Sequence, residues 1–453
     1  MNDESNKQRI EITSGAAEEA RLGLSQASPE ERFIPVTRHD LLDRLARPEV
    51  WGNEVEEIRT LFRVLVHWRR LEYSERQRQL VRNYHAFNPD ADMKGEPLTE
   101  ADRQERQRGF LRDIQHLLQR GNYIEIPNET IPKLIAEQNP YGIELKVDLS
   151  EFDELVIYYR GQTSTIVQPS RLDAWMRRKK PVTLRIYQRL FVLLKLKPIE
   201  MRVREIMKTE NVDEKKAAKM LRKLRKTLPA TVTGELIYLK LFKFIPRSDL
   251  EMLFPNTRVM LKSFDKVRLG ITAGGGTTAG VVGTVTKLTA ATAIGPIGWA
   301  IALAGLAGVI FRQVMSVFNA RTQYMIELAR KLYFHSIANN RSVLAMLTEG
   351  GEEEDVKEEA LLYTFLVNHP VHESELQHIK DGIEHFLSDA YGIKITFDIK
   401  DAMARLAEDG LVTRDASGVL TALRPTEAVR HIDRKWDNYL DQIAHAEGFN
   451  GND

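Results

Sequence analysis

The chain has 453 residues, a formal net charge of +1, 28% charged side chains and no cysteine. That balance excludes global electrostatic steering toward nucleic acid, and the missing thiols exclude disulfides, thiolate zinc sites and cysteine nucleophiles. The length is that of two or three domains.

Residues 1–31 are polar, mixed in charge and without an apolar signal-peptide core; they read as a disordered tail. An α+β domain is expected over 32–268. Helical spacing of apolar residues predicts helices over 38–45, 54–87 and 99–120, with Thr99 and Asp102 as a capping pair. β-branched and aromatic runs bounded by Asn, Pro and Gly predict strands at 123–126, 143–147, 154–159, 182–196, 236–244 and 257–262. A lysine-rich helix fits 211–228, and Ser248 with Glu251 caps a short helix. The sheet should be largely antiparallel.

Within this domain, 171–226 holds 19 Lys and Arg against 6 Asp and Glu. Arg177, Arg178, Lys179 and Lys180 form one dense part; Lys215, Lys216, Lys219, Arg222 and Lys223 form the other. These nine residues are the expected contact for anionic lipid headgroups. Two other readings stay open: phosphates of a nucleic acid, and internal pairing with the acidic segment 349–389, which has 12 Asp and Glu against 2 Lys.

Residues 269–311 carry one charged side chain, Lys287, and ten of the 27 glycines. Two spans of about 20 apolar residues need roughly this length, so a two-span transmembrane helical hairpin is expected. Small residues four apart, Gly270 with Gly274, Gly276 with Gly280, and Ala300, Ala304 and Gly308, would let the two helices pack closely in lipid. The alternative is a buried soluble helical pair. A phosphate loop at 274–278 fails because no Gly-Lys-Ser/Thr follows. Basic flanks on both sides put both soluble parts on the cytoplasmic side.

A helical connector is expected over 312–348, with a helix at 313–339, and an acidic linker over 349–357. Residues 358–446 read as a winged-helix-like domain: helices at 358–368, 373–391 and 398–409, strands 411–413 and 419–422 around the turn 415–418, and a helix at 426–445. A tail closes the chain at 447–453. The third helix carries Asp398, Asp401, Glu408 and Asp409 against Lys400 and Arg405, so a phosphate backbone would be repelled and a protein-interaction or structural role is favoured. His369, His372, His378 and His385 lie within 17 residues but lack a compact metal-binding spacing; surface and capping roles are favoured. No Gly-x-Ser-x-Gly nucleophile motif is present.

Three blocks carry a family resemblance: Arg32-Phe33-Ile34-Pro35-Val36, then Tyr238-Leu239-Lys240-Leu241-Phe242-Lys243, then Ile245 through Pro255, with the glycine-rich stretch following. Together they resemble the uncharacterised transmembrane protein 143-like family (domain of unknown function 3754), across roughly residues 30–445. The resemblance implies a membrane protein of bacteria and organelles. It supplies no catalytic residues.

The expectation is therefore an α+β membrane protein: a helical plus antiparallel-sheet domain, a two-span hairpin and a winged-helix-like domain. The leading function is a membrane-anchored scaffold or regulatory protein whose basic inner-side domain contacts anionic lipid. The alternatives are an oligomeric pore or transport accessory built from the hairpin, and a lipid- or phosphate-acting enzyme. No cofactor or metal is expected. Expected partners are the membrane, a second copy through the hairpin, and a protein on the winged-helix-like domain; nucleic acid is disfavoured.

Overall fold

The computed structural model describes residues 31–93, 95, 97–132, 144–167, 182–226, 228, 232–247, 250, 253–254, 258–260 and 333–446. The N-terminal elements are helices α1 (Arg38–Leu45), α2 (Pro48–Trp51), α3 (Val55–Tyr84) and α4 (Glu100–Arg120). Thr37 caps α1 by accepting from the Asp40 N–H, and Thr99 caps α4 by accepting from the Asp102 N–H.

Strands β1 (Ile124–Glu125), β2 (Glu144–Lys146), β3 (Phe152–Val167) and β4 (Val182–Leu196) follow. Then come α5 (Ile199–Glu210), α6 (Glu214–Arg225), β5 (Ile237–Pro246), β6 (Arg258–Met260) and β7 (Ser336–Asn339). One sheet has the order β1-β3-β4-β5-β7, antiparallel throughout; β2 and β6 form a separate antiparallel pair. Near the middle of β3, Gly161 has φ +74°, a conformation that favours glycine.

Helix α7 (Arg341–Asn368) leads into β8 (Val371–His372), α8 (Leu376–Tyr391), α9 (Ile399–Glu408), β9 (Val412–Arg414), β10 (Val419–Ala422) and α10 (Pro425–Ala446). The last three strands pair as β8-β10-β9. From α7 to β10 this is the element order of a winged helix.

Two long helices, α3 and α7, run side by side through two apolar cores. In the first, Ile34, Leu41, Leu61, Leu65 and Trp68 pack against Ala360, Leu362, Leu366 and the C-terminal unit, including Ile383, Leu406, Leu420 and Ile432. In the second, Leu80, Tyr84, Phe110 and Ile114 join Val343, Leu344 and Leu347 against one face of the sheet, on Tyr158, Phe191, Leu193 and Leu239. The opposite face carries a third core with Leu190, Val192, Leu194 and Phe242. The N-terminal helices thus share a core with the end of the chain.

Four expectations are corrected. Among the described residues no helix is long and apolar enough to cross a membrane. The residues on which the two-span reading rested, 269–311, lie outside the described ones. The long helices that are described bury their apolar stripes in internal cores and interrupt them with charge, as at Arg69 in α3 and Asp355 in α7. The membrane fold class, the integral membrane partner and the localisation to a membrane with both soluble parts inside fall with that reading, as does the pore built on it.

Second, 349–357 is no linker. It is the middle of α7, with Glu352, Glu354, Asp355 and Lys357 buried. Third, 336–339 is strand and not helix, because it completes the sheet beside β5, with Lys240 opposite Asn339. Fourth, 199–210, given no element from the sequence, is helix α5, whose Val203 and Ile206 find a buried face against α6. Ser248, Glu251, most of 312–335 and the two terminal tails apart from Glu31 lie outside the described residues; Glu31 itself is buried and not part of a disordered tail.

Candidate functional site

Helices α5 and α6 pack on each other over a small core of Val203, Ile206, Ala217 and Leu221. They are tied to the sheet by one buried carboxylate. Glu151 accepts from Arg202 Nε at 2.7 Å and from Arg225 Nε at 3.0 Å. Burial works most strongly against the Arg202 cation, but Glu151, Glu205 and Asp148 together outweigh it and its pKa is raised.

The buried face of α6 is set by Ala217 and Leu221. The face away from it carries Lys215, Lys216, Lys219, Arg222 and Lys223, all exposed. At about 100° per residue these five cations fall within about 120° of arc. None forms an ion pair with another described residue. Of the nine expected contacts, these five are therefore gathered on one surface. Arg177, Arg178, Lys179 and Lys180 lie outside the described residues, as do Gly270, Gly274, Gly276, Gly280, Ala300, Ala304 and Gly308.

The acidic segment is not the partner of that basic face. Three of its carboxylates, Asp355, Glu358 and Glu359, belong to an ionic layer between the two apolar cores, where α3, α4, α7 and α9 meet. Glu359 accepts from Arg69 Nε at 2.8 Å and from Arg405 Nε at 2.8 Å. Asp355 accepts from the Tyr73 hydroxyl at 2.7 Å and also meets Arg120. Glu358 accepts from Asn122 Nδ2 at 2.7 Å and pairs with Arg405. Asp409 closes the layer on Arg69, on Lys435 at 2.8 Å and on the Trp68 indole N–H at 3.1 Å.

Burial dominates the electrostatics here. It pushes the Glu358 carboxyl up to about 8, with Arg405 opposing and Asp355 reinforcing the shift. It raises Glu359 as well, against the pull of Arg69 and Arg405. It opposes the Arg405 cation, yet Asp355, Glu358 and Glu359 together hold its pKa well above the ordinary value.

Nothing in the sequence reading anticipated this layer. One signal was present: Leu61, Leu65, Arg69 and Tyr73 recur at i+4, so Arg69 occupies a position of the buried stripe.

The same layer extends to the start of the described chain. Residues 31–36 run extended across α7. The Ile34 N–H donates to Glu354 Oε2 at 3.1 Å, and Lys357 Nζ donates to the carbonyls of Ile34 at 2.7 Å and Val36 at 3.1 Å. The Glu31 carbonyl accepts from the Thr396 N–H at 2.7 Å, and Arg32 pairs with Asp398 at 2.9 Å.

Asp355, Glu358 and Asp401 bring carboxylate oxygens within 4.8 Å of one another. All three pair with Arg405, whose Nη1 is 3.2 Å from Asp355 Oδ1. The guanidinium thus neutralises this acidic group, a role a metal ion would otherwise have. It also turns Arg405, one of the two cations on α9, away from solvent.

Of the histidines, His372 accepts from the Ser374 N–H at 3.2 Å and sits 2.9 Å from the Ser417 carbonyl; His385 lies 3.1 Å from Asp389. They do not converge: His372 closes the turn between β9 and β10, and His385 pairs along α8.

The family model described as protein of unknown function (DUF3754) matches residues 152–342. The chain therefore carries this domain of unknown function, from the start of β3 to the first residues of α7. No solved structure matches the chain.

Proposed function

We propose that this chain is a scaffold or regulatory protein that docks reversibly on anionic lipid headgroups through the basic face of α6. The reading is of a surface contact and implies no span. The observation that carries it is the α6 arc: five exposed cations on one side of a helix, unpaired among the described residues, while the buried acids of 352–359 pair with other cations.

The magnitudes suit a reversible contact. Each Lys or Arg near an anionic surface contributes about 1 kcal/mol, so the five together contribute roughly 5 kcal/mol at low salt. That corresponds to an affinity between roughly 0.1 and 1 mM. The apolar face of α6 is used internally, so attraction is electrostatic and is screened beyond about 10 Å at 0.1 M salt.

The ionic layer supports the scaffold part of the reading. It fastens the N-terminal helices and the C-terminal unit on α7, and α5–α6 packs as a pair with its own core. We also infer, on the blocks at 238–243 and 245–255, a kinship with the transmembrane protein 143-like family; the kinship concerns descent alone. Flotation of the full chain with vesicles of phosphatidylcholine, with and without phosphatidylserine, tests the function. Binding only to the anionic vesicles is expected. Equal recovery with both would refute it.

A further inference from the structure

A cleft between α1 and α3 has no part in the surface contact proposed above. Its volume is about 490 Å³, within the range of about 300–1,000 Å³ found for small-molecule sites. The floor is apolar: Leu42 and Ala46 from α1, Phe62 and Val66 from α3. Phe62 and Ala46 are buried and belong to the first core, so the floor is rigid.

The rim is basic. Arg59, Arg63 and His67 follow one another at i, i+4 and i+8 along one exposed edge of α3. Arg38 and His39 face them from α1. The two acids of the rim are already engaged: Glu56 with Arg59 at 2.8 Å and Asp43 with His39 at 3.3 Å. Arg38 is held by Glu352 at 2.9 Å. One cation remains without an acidic partner among the described residues, Arg63, with the His67 imidazole one turn further along α3. Among the described residues Arg63 donates to the Thr60 hydroxyl, at 3.1 Å.

We propose that this cleft binds a small amphipathic anion, its carboxylate or phosphate head on Arg63 and His67 and its apolar body on Leu42, Phe62 and Val66. Charge complementarity selects the head: a guanidinium presents two parallel N–H donors that match either oxyanion. The apolar floor selects against a bare anion, since inorganic phosphate would leave it covered by water. The rim selects against a neutral amphiphile, which would leave the Arg63 guanidinium without a charged partner.

Calorimetric titration of the full chain with octyl phosphate, octanoate, octanol and inorganic phosphate, each kept monomeric, tests this. One octyl anion per chain should bind, with octanol and inorganic phosphate at least about tenfold weaker. Binding of octyl phosphate alone, or of octanoate alone, identifies the head group; binding of both leaves the site general for oxyanions, as proposed. Arg63→Glu should weaken the octyl anions at least about tenfold while thermal unfolding stays in place, and Arg63→Lys should retain most of the affinity. Because Arg63 is exposed, these variants should fold. The proposal is overturned if neither octyl anion binds, if octanol or inorganic phosphate binds as tightly, or if Arg63→Glu leaves the affinity unchanged.

Discussion

Arg69 and Glu359 meet 290 positions apart in the chain, with Arg69 Nε 2.8 Å from one carboxylate oxygen and 3.0 Å from the other. Both side chains are almost wholly removed from solvent. Desolvating two charges is costly, and their attraction offsets that cost only while both are present. Arg69→Met should therefore destabilise the chain by roughly 3–5 kcal/mol, leaving Glu359 and Asp409 short of a partner. Adding Glu359→Leu to that variant should recover part of the loss. Urea unfolding of the two variants beside the parent measures both; a double variant no more stable than the single one would argue against a pairwise coupling.

Glu358 makes stability depend on pH in a stated direction. Its carboxyl is raised from the ordinary 4.5 to about 8 by burial, with Asp355 and Glu354 on its own helix adding to the shift and Arg405 and Asn122 opposing it. Between those values the folded chain holds a proton that the unfolded chain releases. The contribution of this group is therefore fully present below about pH 4.5 and is lost as the pH climbs to about 8. Glu358→Gln removes that slope. Denaturation midpoints at pH 6 and pH 8 should show the variant gaining on the parent at the higher pH, and parallel behaviour would contradict the assignment.

Gly351 sits in α7 where a Cβ would lie 2.9 Å from the Tyr73 ring. Tyr73 is held by its hydroxyl on Asp355 and cannot swing aside without breaking that bond. Gly351→Ala should cost roughly 1–3 kcal/mol through overpacking, although alanine is the better helix former. A thermal melt no lower than that of the parent would show that the ring yields freely.

Lys357 fastens residues 31–36 by its two bonds to backbone carbonyls. Lys357→Met leaves those carbonyls without their donor and Glu354 Oε1 without its cation. The segment should then open locally before the rest of the chain unfolds. Limited trypsin digestion should cleave after Arg32 or Arg38 in the variant at protease levels that leave the parent intact there.

Local signals made much of this fold legible. The capping Thr99 sits where α4 begins, and the turn at 415–418, with Gly418 at φ +88°, joins β9 and β10. What escaped depended on distant partners. The acids at 352–355 read as part of an acidic linker, and Glu358 and Glu359 as the start of a separate helix, because their cations, Arg38, Arg69, Arg120 and Arg405, come from other parts of the chain. The four residues of β7 carry little strand signal alone and owe their conformation to β5. The cleft between α1 and α3 escaped because Arg59, Arg63 and His67 look like any solvated helix edge until α1 supplies a second wall.

The most direct test of the central claim is co-sedimentation of the full chain with phosphatidylserine-containing vesicles as salt is raised, beside a variant carrying Lys215→Glu, Lys219→Glu, Arg222→Glu and Lys223→Glu. The exposed positions should leave the fold intact, each change being within about 0.5 kcal/mol. The account predicts that the parent binds at low salt and is released as salt rises toward 0.5 M, and that the variant stays in the supernatant throughout. A variant that sediments as the parent does, or binding insensitive to salt, would contradict it.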